Sequence, residues 1–169
     1  MTDRSKRIFL ASTIIIPFLA YCLYYYGHMF KIAPYKRTEF KSFIFKYGYG
    51  DSLFNQYNSV TGAYQYVNKQ DSLIKTILKL SPADIDSLHR NAGELGFWDF
   101  PSNETGKDSV GQKGARPPRY YIEFNYKRKS KKVMFDASFN GDVRLKDANK
   151  RMVTEILKVL DDAETRNKR

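Results

Sequence analysis

The 169-residue chain has one cysteine, Cys22. That excludes an intramolecular disulfide framework and any cysteine-rich zinc site. It has two histidines, too few for most histidine-based metal or acid–base sites. It is short of acid: 18 Asp+Glu stand against 29 Lys+Arg, a formal net charge of +11. It also lacks the nucleophile-elbow, Walker, zincin and EF-hand spacings. Gly48-Tyr49-Gly50 is only G-x-G and precedes no helical pattern, so it reads as a turn. Asn103-Glu104-Thr105 matches a glycosylation sequon by chance in a polar loop. What is abundant is aromatic: 13 Tyr and 12 Phe. That argues against a disordered basic tail and for one folded domain.

Residues 8–30, IFLASTIIIPFLAYCLYYYGHMF, carry no Asp, Glu, Lys or Arg. Twenty-three helical residues reach about 35 Å, enough for a hydrocarbon core of roughly 30 Å. Pro17 is tolerated in such a helix, and Tyr21, Tyr24, Tyr25 and Tyr26 suit the headgroup level. A cleaved signal peptide would need a shorter apolar region and small residues where Tyr stands. Leu19-Ala20-Tyr21-Cys22 approaches a lipidation box but places Tyr21 before the cysteine. The expectation is therefore an uncleaved, single-pass signal anchor. Arg4, Lys6 and Arg7 precede the run, and Lys31, Lys36, Arg37 and Lys41 follow it, so flanking charge does not decide orientation. The long following domain favours an extracytoplasmic placement.

The expected organisation is a basic flank at 1–7, the span at 8–30, a linker at 31–39, an α+β domain at 40–164 and a polar tail at 165–169. FKSFIFKYGYG alternates Phe43, Phe45 and Tyr47 on one side and stops at Gly48 and Gly50. Residues 53–67 are weaker, with a turn at Thr61-Gly62. DSLIKTILKL sets Ile74, Thr76, Leu78 and Leu80 against Lys75 and Lys79. Ser81, Pro82 and Asp84 make a capping box before the stripe Ile85, Leu88, Ala92 and Leu95, and Gly96 stops that helix. The aromatic run Phe97, Trp98, Phe100 should pack its end into the core. Residues 102–118 read as a long polar loop. YYIEFNY and KVMFD form a hairpin, and a final amphipathic helix runs from Leu145 to Ala163. The prediction is an antiparallel sheet of five or six strands with two helices on one face.

Tyr47-Gly48-Tyr49-Gly50, Leu80-Ser81-Pro82, Gly96-Phe97-Trp98-Asp99-Phe100-Pro101, the Tyr-rich strand and the closing helix together resemble a group of uncharacterised bacterial membrane-anchored or lipoprotein domains. The resemblance spans roughly residues 40–160. It implies an envelope location and an α+β fold, and it carries no activity.

Chemistry is sparse. His89 is the only histidine outside the span. It lies off the apolar stripe, with Asp86 three residues before it, and reads as a solvated side chain; a hydrolase assembled around it is the alternative. Asp161, Asp162 and Glu164 read as a solvated, fraying helix end. The one unusual constellation is Lys127, Arg128, Lys129, Lys131 and Lys132 at a hairpin tip, beside Tyr120, Tyr121 and Tyr126. It could meet anionic headgroups at about 1 kcal/mol per residue near the surface, bind nucleic acid by charge and stacking, or simply guard an edge. An anchored domain lies beside lipid, which ranks lipid above nucleic acid. The expected function is non-catalytic binding to another envelope protein or an anionic surface, with no cofactor and no metal.

Overall fold

The computed structural model describes residues 3–32, 35–106 and 117–168. The chain divides into two units, with the boundary between Tyr35 and Lys36.

The first unit is the helix α1, Asp3–Ile32. At 1.5 Å per residue its 30 residues extend about 45 Å. It contains the whole expected span and continues past both ends of it. An apolar window within Asp3–Tyr26 has a mean hydropathy of 1.9 and is 0% buried, so the helix is long and apolar enough to cross a membrane. Pro17 lies inside it, where the missing N–H leaves a carbonyl one turn back without its usual donor. The hydroxyls of Ser12 and Thr13 fold back onto the Phe9 carbonyl at 2.9 and 2.8 Å. Tyr21 stacks on Tyr25 with ring centroids 6.0 Å apart, as an i,i+4 pair should. The expected linker is partly helical: Lys31 and Ile32 belong to α1, and Arg37–Glu39 form a 3-10 turn. Residues 33–34 lie outside the described residues.

The second unit holds β1 (Phe40–Tyr49), β2 (Ser52–Asn58), β3 (Ala63–Val67), β4 (Leu73–Ile77), α2 (Pro82–Glu94), β5 (Asn103–Glu104), β6 (Pro118–Tyr126), β7 (Ser130–Asp136) and α3 (Val143–Asn167). The strands form one sheet in the order β4-β3-β2-β1-β6-β7-β5. The fold is thus α+β, but the sheet is mixed and has seven strands. The additional strand is β5, which runs parallel to β7 with Glu104 opposite Phe135. Its two residues lie in the segment read as loop; polar composition hid a pairing that depends on β7, not on local propensity. Residues 107–116 of that expected loop lie outside the described residues.

One face of the sheet carries the core. Phe43 and Phe45 from β1, Tyr57 from β2, Ile122 and Phe124 from β6, and Val133 and Phe135 from β7 are essentially inaccessible. Ile85, Leu88 and Ala92 from α2 and Met152, Ile156, Val159 and Leu160 from α3 are buried with them. Buried apolar area of this kind is the main stabilising term. The pairing of β1 with β6 shifts register between Phe40 and Ser42. The extra residue is a bulge, and it returns Phe40 to the core face opposite Tyr126, with ring centroids 5.8 Å apart.

Gly48 does not end β1. It lies within the strand, where an added Cβ would stand 1.9 Å from the Ser52 carbonyl oxygen. The capping box of α2 forms as expected, with Ser81 and Asp84 bonding reciprocally, and Gly96 adopts φ +72 beyond the helix end. α3 runs four residues beyond its expected end, through most of the predicted tail. Tertiary partners hold it there: Arg166 pairs with Asp84 at 2.5 Å and Asn167 donates to the Ile77 carbonyl at 3.2 Å. Glu164, expected to be solvated, accepts from the Tyr66 hydroxyl at 2.9 Å and pairs with Lys168 at 2.8 Å.

Candidate functional site

The basic segment is divided by strand geometry. Lys127, Arg128 and Lys129 form the turn, and β7 begins at Ser130. Lys131 and Lys132 therefore point to opposite faces. Lys131 shares the core face with Val133 and Phe135, and its ammonium donates to the Phe100 carbonyl. Burial pushes that ammonium below its ordinary value, and the nearby Asp99 and Glu104 carboxylates oppose the shift. Lys132 lies on the outer face, 3.5 Å from Glu123. Burial would raise the Glu123 carboxyl, but hydrogen bonds from Tyr121 and Asn125 and the Lys132 charge hold it below the usual range. Arg128 pairs with Glu39 at 3.5 Å. The Lys127 amide donates to the Glu39 carbonyl at 2.8 Å. Burial also lowers Lys129, against the pull of Glu39.

The five cations thus share their surroundings with four carboxylates, Glu39, Asp99, Glu104 and Glu123, and one of the cations, Lys131, is turned into the core. The three tyrosines are divided in the same way. Tyr126 is buried, Tyr120 stacks on Phe135 across the core face at 6.0 Å, and Tyr121 lies on the outer face with its hydroxyl 2.5 Å from Glu123. Cations and rings do not line one stacking platform of the sort single-stranded nucleic acid uses.

His89 is not a solvated side chain. It is half-buried, with its Nδ1 2.7 Å from the Tyr126 hydroxyl and its ring 5.4 Å from that of Trp98. Trp98 in turn packs edge-on to Phe124 and Tyr126 at 5.4 and 5.8 Å. Burial, and then the charge of Arg37, hold the imidazole below its ordinary pKa, against the opposing effect of Asp86. Asp86 does not orient the imidazole; its carboxylate takes the Arg37 guanidinium instead. A general base needs an orienting carboxylate and a reachable nucleophile. Here the residue that sequence spacing offered for the first task is engaged elsewhere. The signal that could have revealed the true partner is the alternation of β6, which turns Tyr126 towards α2.

Three buried polar residues escaped the sequence reading. Asp136 is fully buried and accepts from the Gly106 amide at 3.2 Å and from the Ser138 amide and hydroxyl at 3.0 and 2.8 Å. Arg119 lies 3.7 Å from it and also pairs with Asp51. Glu104 and Asn149 are fully buried and meet at 2.5 Å. Burial pushes the Glu104 carboxyl up, while Asn149 and Lys131 draw it down. These groups pin β5 and the end of β7 under α3. Among the described residues there is no group of three or more His, Cys, Asp or Glu side chains that could hold a metal ion.

Among the described residues, two solvent-open grooves stand out. One, of about 370 Å³, lies between α2 and α3 and mixes Glu94 and Glu155 with Lys150 and Arg151. The other, of about 300 Å³, crosses β1 to β4 on the outer face and is lined by Lys46, Gln56, Asn58, Gln65 and Lys75 without a carboxylate. His89 lines neither.

No family model matches the chain, and neither a curated protein nor a solved structure does. The resemblance to bacterial envelope domains rests on the quoted residues alone.

Proposed function

We propose that the protein is a single-pass, membrane-anchored binding protein of the bacterial envelope, with its α+β domain on the extracytoplasmic side and acting without catalysis. The observation that carries this reading is α1, an apolar helix of membrane-spanning length whose apolar window is 0% buried. An exposed apolar surface of that extent is costly in water and favourable in lipid. The preferred partner is another envelope protein. Anionic headgroups are the secondary partner, since the turn still presents Lys127 and Arg128 to solvent.

The test uses the full chain. It should remain with membranes after alkaline extraction, and a variant carrying Ile14→Asp and Ile16→Asp should become extractable. Activity of a reporter fused to the C-terminus only outside the cytoplasm supports the orientation. Release of the unaltered chain by alkali would remove the anchor reading, and a reporter active only in the cytoplasm would reverse the topology. A hydrolase built on His89 has less support, because the imidazole is committed to Tyr126 and Asp86 to Arg37.

A further inference from the structure

We infer that the free edge of β4 is a peptide-docking site, at which an extended acidic segment of a partner protein adds as an eighth strand. The inference rests on the binding-protein reading and names the chemistry of the partner.

The two ends of the sheet differ. At one end β5 is only two residues long. At the other, β4 pairs with β3 through five regular positions, Leu73–Val67 to Ile77–Ala63, with no register shift. Hydrogen-bond parity then fixes which peptide groups of β4 face outward. The Asn68 amide bonds to the Ser72 carbonyl and the Leu78 amide to the Gly62 carbonyl. In an antiparallel ladder, bonded pairs alternate with unbonded ones. The even-numbered residues of β4 therefore face β3, and Leu73, Lys75 and Ile77 direct their N–H and C=O groups away from the sheet. Among the described residues, Asn167 reaches one of these, the Ile77 carbonyl.

The same three residues place their side chains on the outer face. Leu73 is 48% exposed and Ile77 66% exposed, and Val67 and Phe54 extend the apolar surface beside them at 38% and 61%. Proteins usually blunt an edge of this kind with proline, a bulge or shortness. β4 has none of these; among the described residues it is guarded by Lys75 and by the Asn167 side chain on the Ile77 carbonyl, which an added strand would displace.

Lys75 also selects the occupant. A second copy added about a two-fold axis at Lys75, the register that pairs the whole strand, would set Lys75 against Lys75, and like charges directly opposite are destabilising. Exposed Lys69 and Lys79 adjoin the strand in sequence, with Asp71 as an acid in the turn before it, while Arg166 is held by Asp84. A carboxylate opposite Lys75, flanked by apolar residues opposite Leu73 and Ile77, satisfies both the charge and the apolar pattern. An acidic side chain there would also border the carboxylate-free groove that Lys75 and Lys46 line. Lipid and nucleic acid do not offer alternating N–H and C=O groups, so the ladder favours a peptide.

The test is fluorescence anisotropy of a fluorescein-labelled Val-Thr-Glu-Thr-Val peptide, which sets Val, Glu and Val on one face, with the full chain in neutral detergent. Saturable binding is expected. Lys75→Glu should weaken it at least tenfold and reverse the preference towards Val-Thr-Lys-Thr-Val. Lys75→Pro should fold, because that N–H has no partner in the sheet, and should also lose binding. N-methylation of alternate peptide amides should abolish binding in one of its two phases. Absence of binding to Val-Thr-Glu-Thr-Val, equal binding by Lys75→Glu, or equal binding of both methylated peptides would overturn the inference. Lys75→Glu keeps the test decisive should Lys75→Pro unfold. Peptide binding lost in Lys75→Glu by a chain that alkali extracts would sustain the edge site while removing the anchor reading.

Discussion

The imidazole of His89 and the phenol of Tyr126 are joined by a 2.7 Å hydrogen bond beneath the ring of Trp98. The bond ties α2 to the last residue of β6, next to the turn that carries Lys127 and Arg128. Burial holds the His89 pKa below its ordinary 6.5. The unfolded chain therefore takes up a proton before the folded one does. The associated stability is fully present above about pH 6.5 and falls as pH drops towards the lower folded value. The melting temperature should decline between about pH 7 and about pH 5, and His89→Gln should flatten that slope. An unchanged slope in His89→Gln would show that other groups govern acid stability.

Two glycines predict different costs for the same substitution. At Gly48 the obstacle is steric, because a methyl group would enter the Ser52 carbonyl. Gly48→Ala should lose about 2–4 kcal/mol by chemical denaturation. At Gly96 no heavy atom lies within 4 Å of the added carbon, and only φ +72 opposes it. Gly96→Ala should cost about 1 kcal/mol.

The α2 cap gives a third measurement. The Ser81 hydroxyl accepts from the Asp84 amide at 3.2 Å, while the Asp84 carboxylate accepts from the Ser81 amide at 2.8 Å. Ser81→Ala should destabilise the domain by about 1 kcal/mol. Asp84→Ala should cost more, since it also releases Arg166 and with it the end of α3.

Lys131 and Lys132 are neighbours with opposite roles. Lys131→Ala removes the donor to the Phe100 carbonyl and should cost about 1–3 kcal/mol. Lys132→Ala breaks a pair whose lysine is exposed and whose Glu123 carboxylate keeps its bonds from Tyr121 and Asn125, and should cost about 1 kcal/mol or less. In sedimentation with anionic vesicles, loss of binding should follow Lys127→Ala and Arg128→Ala rather than Lys131→Ala. A uniform effect of all three would mean that charge count, not placement, governs the contact.

Elements defined by their own residues were legible in the sequence. The span, the Ser81–Asp84 box, the alternation of β1 and β6 and the apolar stripe of α3 are all set by local periodicity and capping. What depends on distant partners was not. β5 exists because β7 offers it an edge. α3 outlasts its apolar stripe because Asp84, Tyr66 and Ile77 hold its last turn. His89 looked solvated because helical spacing cannot report that Tyr126 closes over it. The basic run looked like one patch because a list of charges does not show that a strand alternates.

The central pairing of the sheet has a kinetic consequence. β1 opens the domain, yet its partner β6 follows roughly 80 residues later, as Phe43 opposite Phe124 illustrates. Pairings of such sequence separation form slowly. During synthesis, β1 to β4 emerge as consecutive antiparallel neighbours and can zip together at once, while the other side of β1 stays bare. A nascent chain halted before Pro118 would therefore present two open edges, β4 and β1, and the arrival of β6 closes the one at β1.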